Sequence, residues 1–345
     1  MIVKTLFNKK MARNNSYILL TGGAGYIGSH VALQFTKYTQ KKLIILDNLS
    51  SGHKTLINKK SKFLKADINN KALMKSIFSK YRIDTVIHLA AKSISKNSFL
   101  EKNKFIRTNY LATKKLCKLC LEFNVKYFIF TSSASVYGNK KGAISENSKT
   151  LPLTPYGISK LKAEKEIVKL FNKKIKFAIL RLFNVAGADY KNNIGLITNN
   201  DSIFKNFSKK FLNKYVSLNV YGKNYKKSND GTTVRDYINV IDVAKIILNV
   251  KKFLEKNNKS ITINCGSGEK TSVLDLIKIF KKITKKNYKI NFNKKRKGDI
   301  EISIAKIKKL KKILKFYPTN KNSKTELIAK SSLLWEKKLI QKTFL

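Results

Sequence analysis

A predicted strand, YILL at 17–20, runs without a break into the glycine-rich segment TGGAGYIG. Its glycines Gly22, Gly25 and Gly28 are three residues apart, and an apolar helical stretch follows them. Glycines in such a turn let the backbone approach a pyrophosphate closely, while the helix N-terminus offers unpaired N–H groups and the positive end of the helix dipole. The segment therefore predicts the first strand, turn and helix of a dinucleotide-binding sheet.

Short aliphatic strands continue to alternate with helical stretches up to residue 182. The predicted strands are 17–20, 43–46, 62–66, 85–89, 126–132 and 177–182. The predicted helices between them are 27–38, 71–81, 98–123 and 156–171. This order is typical of an α/β fold with a doubly wound parallel Rossmann sheet. A looser pattern afterwards predicts a smaller mixed α/β substrate lobe, so we divide the chain into 16–182 and 183–345, with 236–254 a candidate to return to the first lobe.

The second predicted strand ends in Asp47, nineteen residues after Gly28. At this distance a carboxylate accepts hydrogen bonds from the ribose hydroxyls in the adenine half of a dinucleotide. A 2′-phosphate would meet this negative charge instead of an arginine, so the residue predicts NAD rather than NADP as the cofactor.

The strongest chemical signal is Tyr156, which is followed four residues later by Lys160 in PYGISK. A tyrosine is a weak base at its usual pKa of about 10. An ammonium one helical turn away favours the phenolate, and a positive nicotinamide ring adds to that effect. We therefore predict Tyr156 and Lys160 as the proton-transfer pair. Ser133, in the upstream segment SSASVYG, is predicted to bind the reacting hydroxyl and to help pass its proton to Tyr156.

The formal net charge of +53 is at first sight typical of a nucleic-acid-binding protein. Only six of the 73 basic residues are Arg, however, and the Lys residues are spread along the chain. Base-reading surfaces favour the bidentate Arg fork, so no specific nucleic-acid site is predicted. The positive surface is expected to attract polyanions loosely and in a salt-dependent way.

The three cysteines, Cys117, Cys120 and Cys265, are too few and too irregularly spaced for a disulfide framework. Cys117 and Cys120 form a CxxC inside an apolar helical run without a second ligand pair, which indicates core packing rather than a metal site. Reduced thiols indicate the cytoplasm, and without an apolar run of 18 residues no membrane insertion is expected. Residues 1–15 are basic and are interpreted as a disordered extension.

The GxxGxxG form of the glycine turn, rather than GxGxxG, resembles the extended short-chain dehydrogenase/reductase family. The resemblance implies that Asp67 contacts adenine, that the HLAA run at 88–91 lines the pyrophosphate and nicotinamide ribose, and that Asn109 lies near the active site. The residues expected to bind NAD are Gly22, Gly25, Tyr26, Ile27, Gly28, Asp47, Asn48, Asp67, Ile68, Leu89, Ala90, Ala91, Asn109, Tyr156 and Lys160.

Motifs from about residue 17 to 318 are similar to the UDP-glucose 4-epimerase group of this family. RLFNVAGA and DGTTVRDYINV place Asn184 and Arg235 where the group binds a diphosphate, and KRKGDI supplies Arg296 for its other side. SLNVYG offers Asn219 and Tyr221 for a uracil pocket, in which the Tyr221 ring stacks on the base. Three of the six Arg therefore fall in these motifs or the strand before them, where a guanidinium fork is useful.

Further positions concern the sugar and the ribose. The resemblance assigns Asp299 to the uridine ribose, and a loop contact to Ser202, with Asn199 or Asn200 as rivals. Ser303 stands where a bulky Tyr narrows the sugar pocket in the family. A small residue there implies room for an N-acetyl group, so UDP-N-acetylhexosamines are expected as additional substrates.

The resemblance implies an isomerase that interconverts UDP-glucose and UDP-galactose through a 4-keto intermediate by reversible hydride transfer. It also implies a homodimer formed through two long helices per subunit. Dehydratases of the family carry an acidic residue beside the serine-strand hydroxyl, whereas Ala134 and Ser135 stand there in this chain. Elimination of water is therefore disfavoured.

Three other functions stay open at this point. One is an epimerase specific for another nucleotide sugar, such as a UDP-uronate or UDP-N-acetylglucosamine. Another is an inactive scaffold of the same fold whose basic surface binds RNA, although Ser133, Tyr156 and Lys160 are all present. The third is a dehydrogenase with net turnover of NAD.

Overall fold

The computed structural model describes residues 16–93, 98–140, 142–197, 202–296, 298–318 and 324–343. The interpretation of residues 1–15 as a disordered extension lies outside the described residues, as do Asn199 and Asn200. Among the described residues, no helix combines the length and the apolar character needed to cross a membrane.

Seven strands form one parallel sheet in the order β11–β6–β5–β4–β1–β2–β3. They are β1 (Tyr17–Thr21), β2 (Lys42–Asp47), β3 (Lys62–Lys65), β4 (Ile83–His88), β5 (Tyr127–Ser133), β6 (Lys176–Leu182) and β11 (Ile261–Cys265). The strand order reverses between β1 and β4, and at such a point the loops after the strands separate and leave a crevice. The predicted doubly wound α/β fold is confirmed.

Helices cover both faces of this sheet. In chain order they are α1 (Tyr26–Tyr38), α2 (Lys71–Lys80), α3 (Lys102–Phe105), α4 (Ala112–Glu122), α5 (Pro155–Phe171) and α7 (Val240–Asn257). A π-helical segment, Ile106–Leu111, joins α3 to α4. In α5, Pro155 occupies the first turn and the Thr154 hydroxyl accepts a hydrogen bond from the Gly157 N–H, which fixes where the helix begins.

The strands read as unbroken aliphatic runs because both of their faces are buried. In β1, Ile18 and Leu20 pack into the core beneath α1 and α7, whereas Leu19 packs into the opposite core with residues of α2, α4 and α5. Cys117 and Cys120 are buried in this second core, as the CxxC interpretation expects. The cores hold the carboxyl ends of the strands at a common edge.

Most of the remaining elements build the smaller lobe. They are β7 (Asn184–Ala186), α6 (Ile203–Leu212), β8 (Ser217–Tyr221), β9 (Val234–Arg235), β10 (Tyr237–Asn239), β12 (Thr271–Ser272), α8 (Val273–Thr284), β13 (Lys289–Asn293), β14 (Ile302–Ser303) and α10 (Thr325–Thr343), whereas α9 (Lys308–Leu314) packs on the first core beside α7 and β11. Its core is aromatic, with Phe204, Phe207 and Phe211 of α6 around Phe280 of α8. Because α7 packs against α1 and β11 pairs with β6, we propose that residues 240–265 belong to the first lobe.

Candidate active site

The glycine turn follows β1 at the reversal point of the sheet. Gly22 has a φ of +72°, and a Cβ there would lie 2.7 Å from the Ala90 backbone nitrogen in the segment after β4. A Cβ on Gly28 would lie 2.1 Å from the Gly22 carbonyl oxygen. Gly25 is the N-cap of α1, and its side chain-free position leaves the first N–H groups of the helix accessible to an anion. The turn therefore fits the pyrophosphate of NAD.

Asp47 is fixed against this turn. Its carboxylate accepts hydrogen bonds from the backbone N–H groups of Ala24 at 3.0 Å and Leu49 at 2.8 Å. Burial raises the pKa of Asp47, while both of these hydrogen bonds oppose the increase. A carboxylate held by two amides keeps lone pairs for further donors, so its chemistry also fits the ribose hydroxyls of NAD.

The predicted adenine contact, Asp67, follows β3 and meets Asn48, which follows β2. The Asn48 side-chain amide donates to the Asp67 carboxylate at 2.9 Å, and Ile68 is buried beside it. Burial by itself would raise the pKa of Asp67, but hydrogen bonds from Asn69 and Asn48 outweigh it and the pKa is lowered. Asp67 is consequently an ionised acceptor at the carboxyl edge of the sheet.

The segment after β4 runs beside the glycine turn. The Leu89 N–H donates to the Thr21 carbonyl at 3.1 Å, and the half-buried Ala90 and Ala91 follow. The predicted residue Tyr26 reaches across to the smaller lobe, where its hydroxyl donates to the Gly187 carbonyl at 2.6 Å. Its neighbour Ile27 packs on the first core.

Asn109 lies in the π-helical segment and is buried. Its carbonyl oxygen accepts from the Lys92 N–H at 2.8 Å, and its amide donates to the Lys92 carbonyl at 3.0 Å and the Ser159 hydroxyl at 3.1 Å. These bonds connect the segment after β4 to the residue that precedes Lys160. π-helical turns are frequent at functional sites, and here the turn directs Asn109 toward α5.

The end of β5 faces the start of α5, which carries the proton-transfer pair. The Ser133 side chain lies close enough to the Tyr156 phenol to oppose the increase in its pKa, and the Ser133 hydroxyl donates to the Ser135 hydroxyl at 3.2 Å. The Lys160 ammonium donates to the Thr131 carbonyl at 2.8 Å and lies 4.8 Å from the centre of the Phe130 ring. The three predicted catalytic residues are therefore assembled by contacts between one strand and one helix.

Burial dominates the electrostatics of this pair. It raises the pKa of Tyr156, and the nearby Ser133 hydroxyl only partly opposes the increase. It also lowers the pKa of Lys160 to about 7, against the opposite effect of Glu164. The phenolate is therefore not favoured as expected beside the Lys160 ammonium, because enclosure of the phenol is the larger effect and the pKa of Tyr156 stays above its ordinary value.

A polar cleft opens beside Ser133 between the two lobes. Its lining residues are Ser133, Ala134, Ser135, Leu153, Thr154, Leu182, Phe183, Asn184, Arg235, Gly298, Asp299, Ile300 and Ser303. Five residues predicted from the sequence, which were assigned to the reacting hydroxyl, the diphosphate, the ribose and the sugar pocket, thus share one surface.

Arg235 is the principal cation of this cleft. One terminal guanidinium nitrogen donates to the Asp299 carboxylate at 2.7 Å, and the other donates to the Val234 and Glu301 carbonyls. Ser303 is directly across from Arg235 in the parallel pairing of β14 with β9, and it is buried. The small side chain therefore sits next to the guanidinium that the sequence assigns to the diphosphate.

The predicted uracil residues lie on β8. Asn219 and Tyr221 are two residues apart and both are exposed on the same face of the strand. The Arg296 guanidinium carbon lies 3.9 Å from the centre of the Tyr221 ring. This stacking brings the second predicted diphosphate arginine to the aromatic ring predicted to hold the base.

Ser202 lies elsewhere. It precedes α6 and lines a smaller cavity with Tyr26, Trp335 and the buried ion pair of Lys205 and Glu336. The structure therefore brings Ser202 close to Tyr26 of the glycine turn, and it is not among the described residues that line the cleft of Ser133 and Asp299.

Two groups of residues near the site were not predicted from the sequence. The Tyr225 hydroxyl donates to Asp299 at 3.1 Å, so it helps to fix the predicted ribose contact. Glu164 and Arg181 form a buried ion pair behind the end of β5. The scarcity of Arg and the position of Glu164, one turn after Lys160, were the available signals for the second group.

Comparison with known proteins agrees with this geometry. The profile of the NAD dependent epimerase/dehydratase family matches residues 18–266. A UDP-glucose 4-epimerase of Lacticaseibacillus casei is 33% identical over 305 residues, which cover 87% of this chain and 91% of the relative. The residues matched by the family profile include the glycine turn and the proton-transfer pair.

Solved structures extend the comparison to the fold. A UDP-glucose 4-epimerase of Stenotrophomonas maltophila with bound NAD and formylated UDP-arabinopyranose is 28% identical, with a TM-score of 0.88 over 95% of this chain and 99% of that one. The UDP-Glc/GlcNAc 4-epimerase of Campylobacter jejuni is 33% identical, with a TM-score of 0.80 over 94% and 99%. The chain therefore belongs to the NAD dependent epimerase/dehydratase family and, within it, to the UDP-glucose 4-epimerase group.

Proposed function

We propose that the chain is an NAD-dependent isomerase that interconverts UDP-glucose and UDP-galactose through a 4-keto intermediate. The observation that carries this proposal is the arrangement of one cleft. Ser133, which lies beside Tyr156, lines the same surface as Arg235 and Asn184. A proton acceptor and an anion-binding guanidinium are thus combined in one site, as a sugar nucleotide requires.

Each group has a role in this reaction. Tyr156 accepts the proton of the 4-hydroxyl through Ser133, while Arg235, Asn184 and Arg296 hold the diphosphate. When bound, NAD supplies the carbon that accepts hydride from carbon 4 of the sugar and gives it back. Tight binding of the UDP half leaves the sugar free to turn about its phosphate linkage, so that hydride returns to the opposite face.

The cleft argues against elimination of water. A dehydratase needs a general acid beside the serine hydroxyl. Ala134 and Ser135 occupy that part of the cleft, and the carboxylate of Asp299 is paired with Arg235. Oxidation followed by reduction at the same carbon needs no additional acid, and it leaves the total redox state unchanged.

Purified protein incubated with UDP-galactose, without added NAD, tests this proposal. UDP-glucose should form, and the Tyr156→Phe variant should fold and bind NAD but form product at least about a hundredfold more slowly. Accumulation of NADH in proportion to substrate would instead indicate a dehydrogenase. Steep salt-dependent retention of RNA by protein that carries no NAD would indicate the inactive scaffold.

We further propose that UDP-N-acetylhexosamines are substrates. Support comes from the small Ser303, which lines the cleft beside Arg235, and from the similarity to the UDP-Glc/GlcNAc 4-epimerase of Campylobacter jejuni. Ser303→Tyr should reduce turnover of UDP-N-acetylglucosamine relative to UDP-glucose, whereas Ser303→Ala should not. An unchanged ratio in the Tyr variant would refute the assignment.

A homodimer is proposed through the face formed by α4 and α5. Leu111, at the end of the π-helical segment before α4, exposes 41% of its surface, Val168 of α5 exposes 52%, and Lys114 bridges α4 and α5 by an ion pair with Glu166 at 3.0 Å. Exposed lysines on the same face should repel a second copy at low ionic strength. Sedimentation should therefore show stronger dimerisation at higher salt, and Val168→Lys should weaken it.

We also propose a cytoplasmic location. The support is that Cys117, Cys120 and Cys265 are all unpaired and buried, as is typical of a reducing compartment. Burial raises the pKa of each thiol, so none is poised for oxidation. Cell fractionation followed by detection of the protein would test the location.

A further inference from the structure

A buried polar cluster lies directly behind the end of β5. Arg181 of β6 donates to both carboxylate oxygens of Glu164, the shorter distance being 2.7 Å, and to the Tyr137 hydroxyl at 2.9 Å. The Ser132 hydroxyl donates to the same carboxylate. Glu164 is 4% exposed and Arg181 is 9% exposed. The proposed reaction uses none of these four residues.

The cluster continues the spacing of the proton-transfer pair. Tyr156, Lys160 and Glu164 are four residues apart and therefore lie on one face of α5. They meet three successive residues of β5, since Tyr156 lies beside Ser133, Lys160 donates to the Thr131 carbonyl and Glu164 accepts from the Ser132 hydroxyl. The helix and the strand are thus joined in a fixed register at the reacting groups.

The charges around Lys160 come from several elements. On its own helix, the Glu164 carboxylate favours the ammonium form. From β4, His88 is neutral, because burial and the charge of Lys160 lower its pKa to about 3, and its ring nitrogens are held by the hydroxyls of Thr21 and Thr113. From β6, Arg181 reaches Glu164 from the other side.

We propose that Glu164 is a positioning residue for proton transfer, whose charge, oriented by Arg181, keeps Lys160 protonated while its bond to Ser132 fixes the strand end that presents Ser133. This inference rests on the proposed function of Tyr156 and Lys160. Burial removes the solvent that would otherwise stabilise an ammonium, and the carboxylate one turn away replaces part of it. Arg181 prevents Glu164 from turning fully to Lys160 and neutralising it as a simple ion pair.

Removal of the Glu164 charge and removal of the Arg181 charge should shift the pH dependence of the reaction in opposite directions. Glu164→Gln removes a negative charge next to Lys160 and leaves the Arg181 guanidinium. The pKa values of the active-site groups, seen in the pH dependence of kcat, should therefore fall. Arg181→Gln leaves the carboxylate unbalanced, so these pKa values should rise. Each shift should be about one pH unit, the effect expected of a charge one helical turn away in a buried site.

The experiment compares the pH dependence of kcat in the holoenzymes of the parent, Glu164→Gln, Arg181→Gln and the conservative Glu164→Asp. The Gln variant should show a profile shifted to lower pH with a reduced maximum, and the Asp variant should restore most of the parent profile. KM for the UDP-sugar should change little, because Glu164 does not line the cleft. Profiles that keep their position, or that move in the same direction in both Gln variants, would overturn the proposal.

A second measurement requires no turnover, and so separates this inference from the proposed function. Thermal unfolding is recorded for Lys160→Met in the parent and in the Glu164→Gln background. If Glu164 stabilises the ammonium, removing Lys160 should raise Tm by more in the Gln background, where that ammonium has lost its support. An equal change in both backgrounds would refute the coupling, whereas unequal changes without any epimerase activity would refute only the proposed function.

Discussion

The buried Lys160 ammonium, which the reaction requires, should destabilise the folded protein. Burial lowers its pKa from 10.5 to about 7. Below pH 7 both the folded and unfolded chains carry the ammonium, and the folded chain bears the full cost of enclosing it. We therefore predict that Lys160→Met abolishes turnover and at the same time raises Tm.

The expected magnitude follows from the same numbers. A pKa difference of about 3.5 pH units corresponds to an upper bound of about 5 kcal/mol. The Met variant leaves the Thr131 carbonyl without its donor, which costs about 1–3 kcal/mol. A net gain of about 2–4 kcal/mol remains, which corresponds to an increase in Tm of roughly 3–6 °C for a chain of this size.

The assay is thermal unfolding of parent and variant between pH 6 and pH 10. From pH 7 upward the folded parent releases the proton that the unfolded chain keeps until 10.5, so the parent gains stability with pH and the difference between the two proteins narrows. Lys165→Met, on the exposed side of α5, is the matched control and should change neither Tm nor turnover appreciably. A variant no more stable than the parent at pH 6, or a difference independent of pH, would refute the reasoning.

Other predictions concern the cofactor and the diphosphate. Gly28→Ala places a Cβ 2.1 Å from the Gly22 carbonyl oxygen, so the variant should lose bound NAD. The NAD content is measured as the nucleotide released on denaturation. The control variant Gly142→Ala, whose Cβ meets nothing within 4 Å, should retain NAD. Retention of NAD by the Gly28→Ala variant would contradict the assignment of the glycine turn to the pyrophosphate. Tyr156→Phe should reduce kcat at least about a hundredfold with unchanged NAD content; turnover at the parent rate would exclude it as the base. Arg235→Lys, which replaces a planar fork with a point charge, should raise KM for the UDP-sugar by about tenfold and change kcat less, and an unaffected KM would remove Arg235 from the diphosphate site.

Most of the fold could be predicted from the sequence because the patterns that indicate its strands and helices are local. The six predicted strands lie within two residues of the observed ones, since aliphatic runs between glycine turns and helices leave few alternatives. The last strand of the sheet, β11, was missed, because ITINC is short, half polar and far along the chain from β6, its partner. Its place depends on α7 crossing over the first core, which is a tertiary effect that no local pattern contains.

In the candidate site, too, features set by local spacing could be predicted, whereas features set by tertiary contacts could not. The position of Tyr156 and Lys160 on one helical face follows from their spacing, as does the exposure of Asn219 and Tyr221 on one side of β8. The sign of the Tyr156 pKa change was not accessible, because it depends on how deeply the phenol is enclosed. Ion pairs between distant segments, such as that of Arg235 with Asp299, were likewise beyond a reading of motifs.

Hydride transfer at a single carbon is the central claim, and a deuterium label tests it directly. UDP-galactose carrying deuterium on carbon 4 of the sugar is converted in ordinary water, and the product is analysed by mass spectrometry and NMR. The account predicts UDP-glucose that retains the deuterium on carbon 4, because the hydride leaves and returns without meeting solvent. Product with hydrogen from water at that carbon would contradict it, as would the absence of any UDP-glucose from protein that contains NAD.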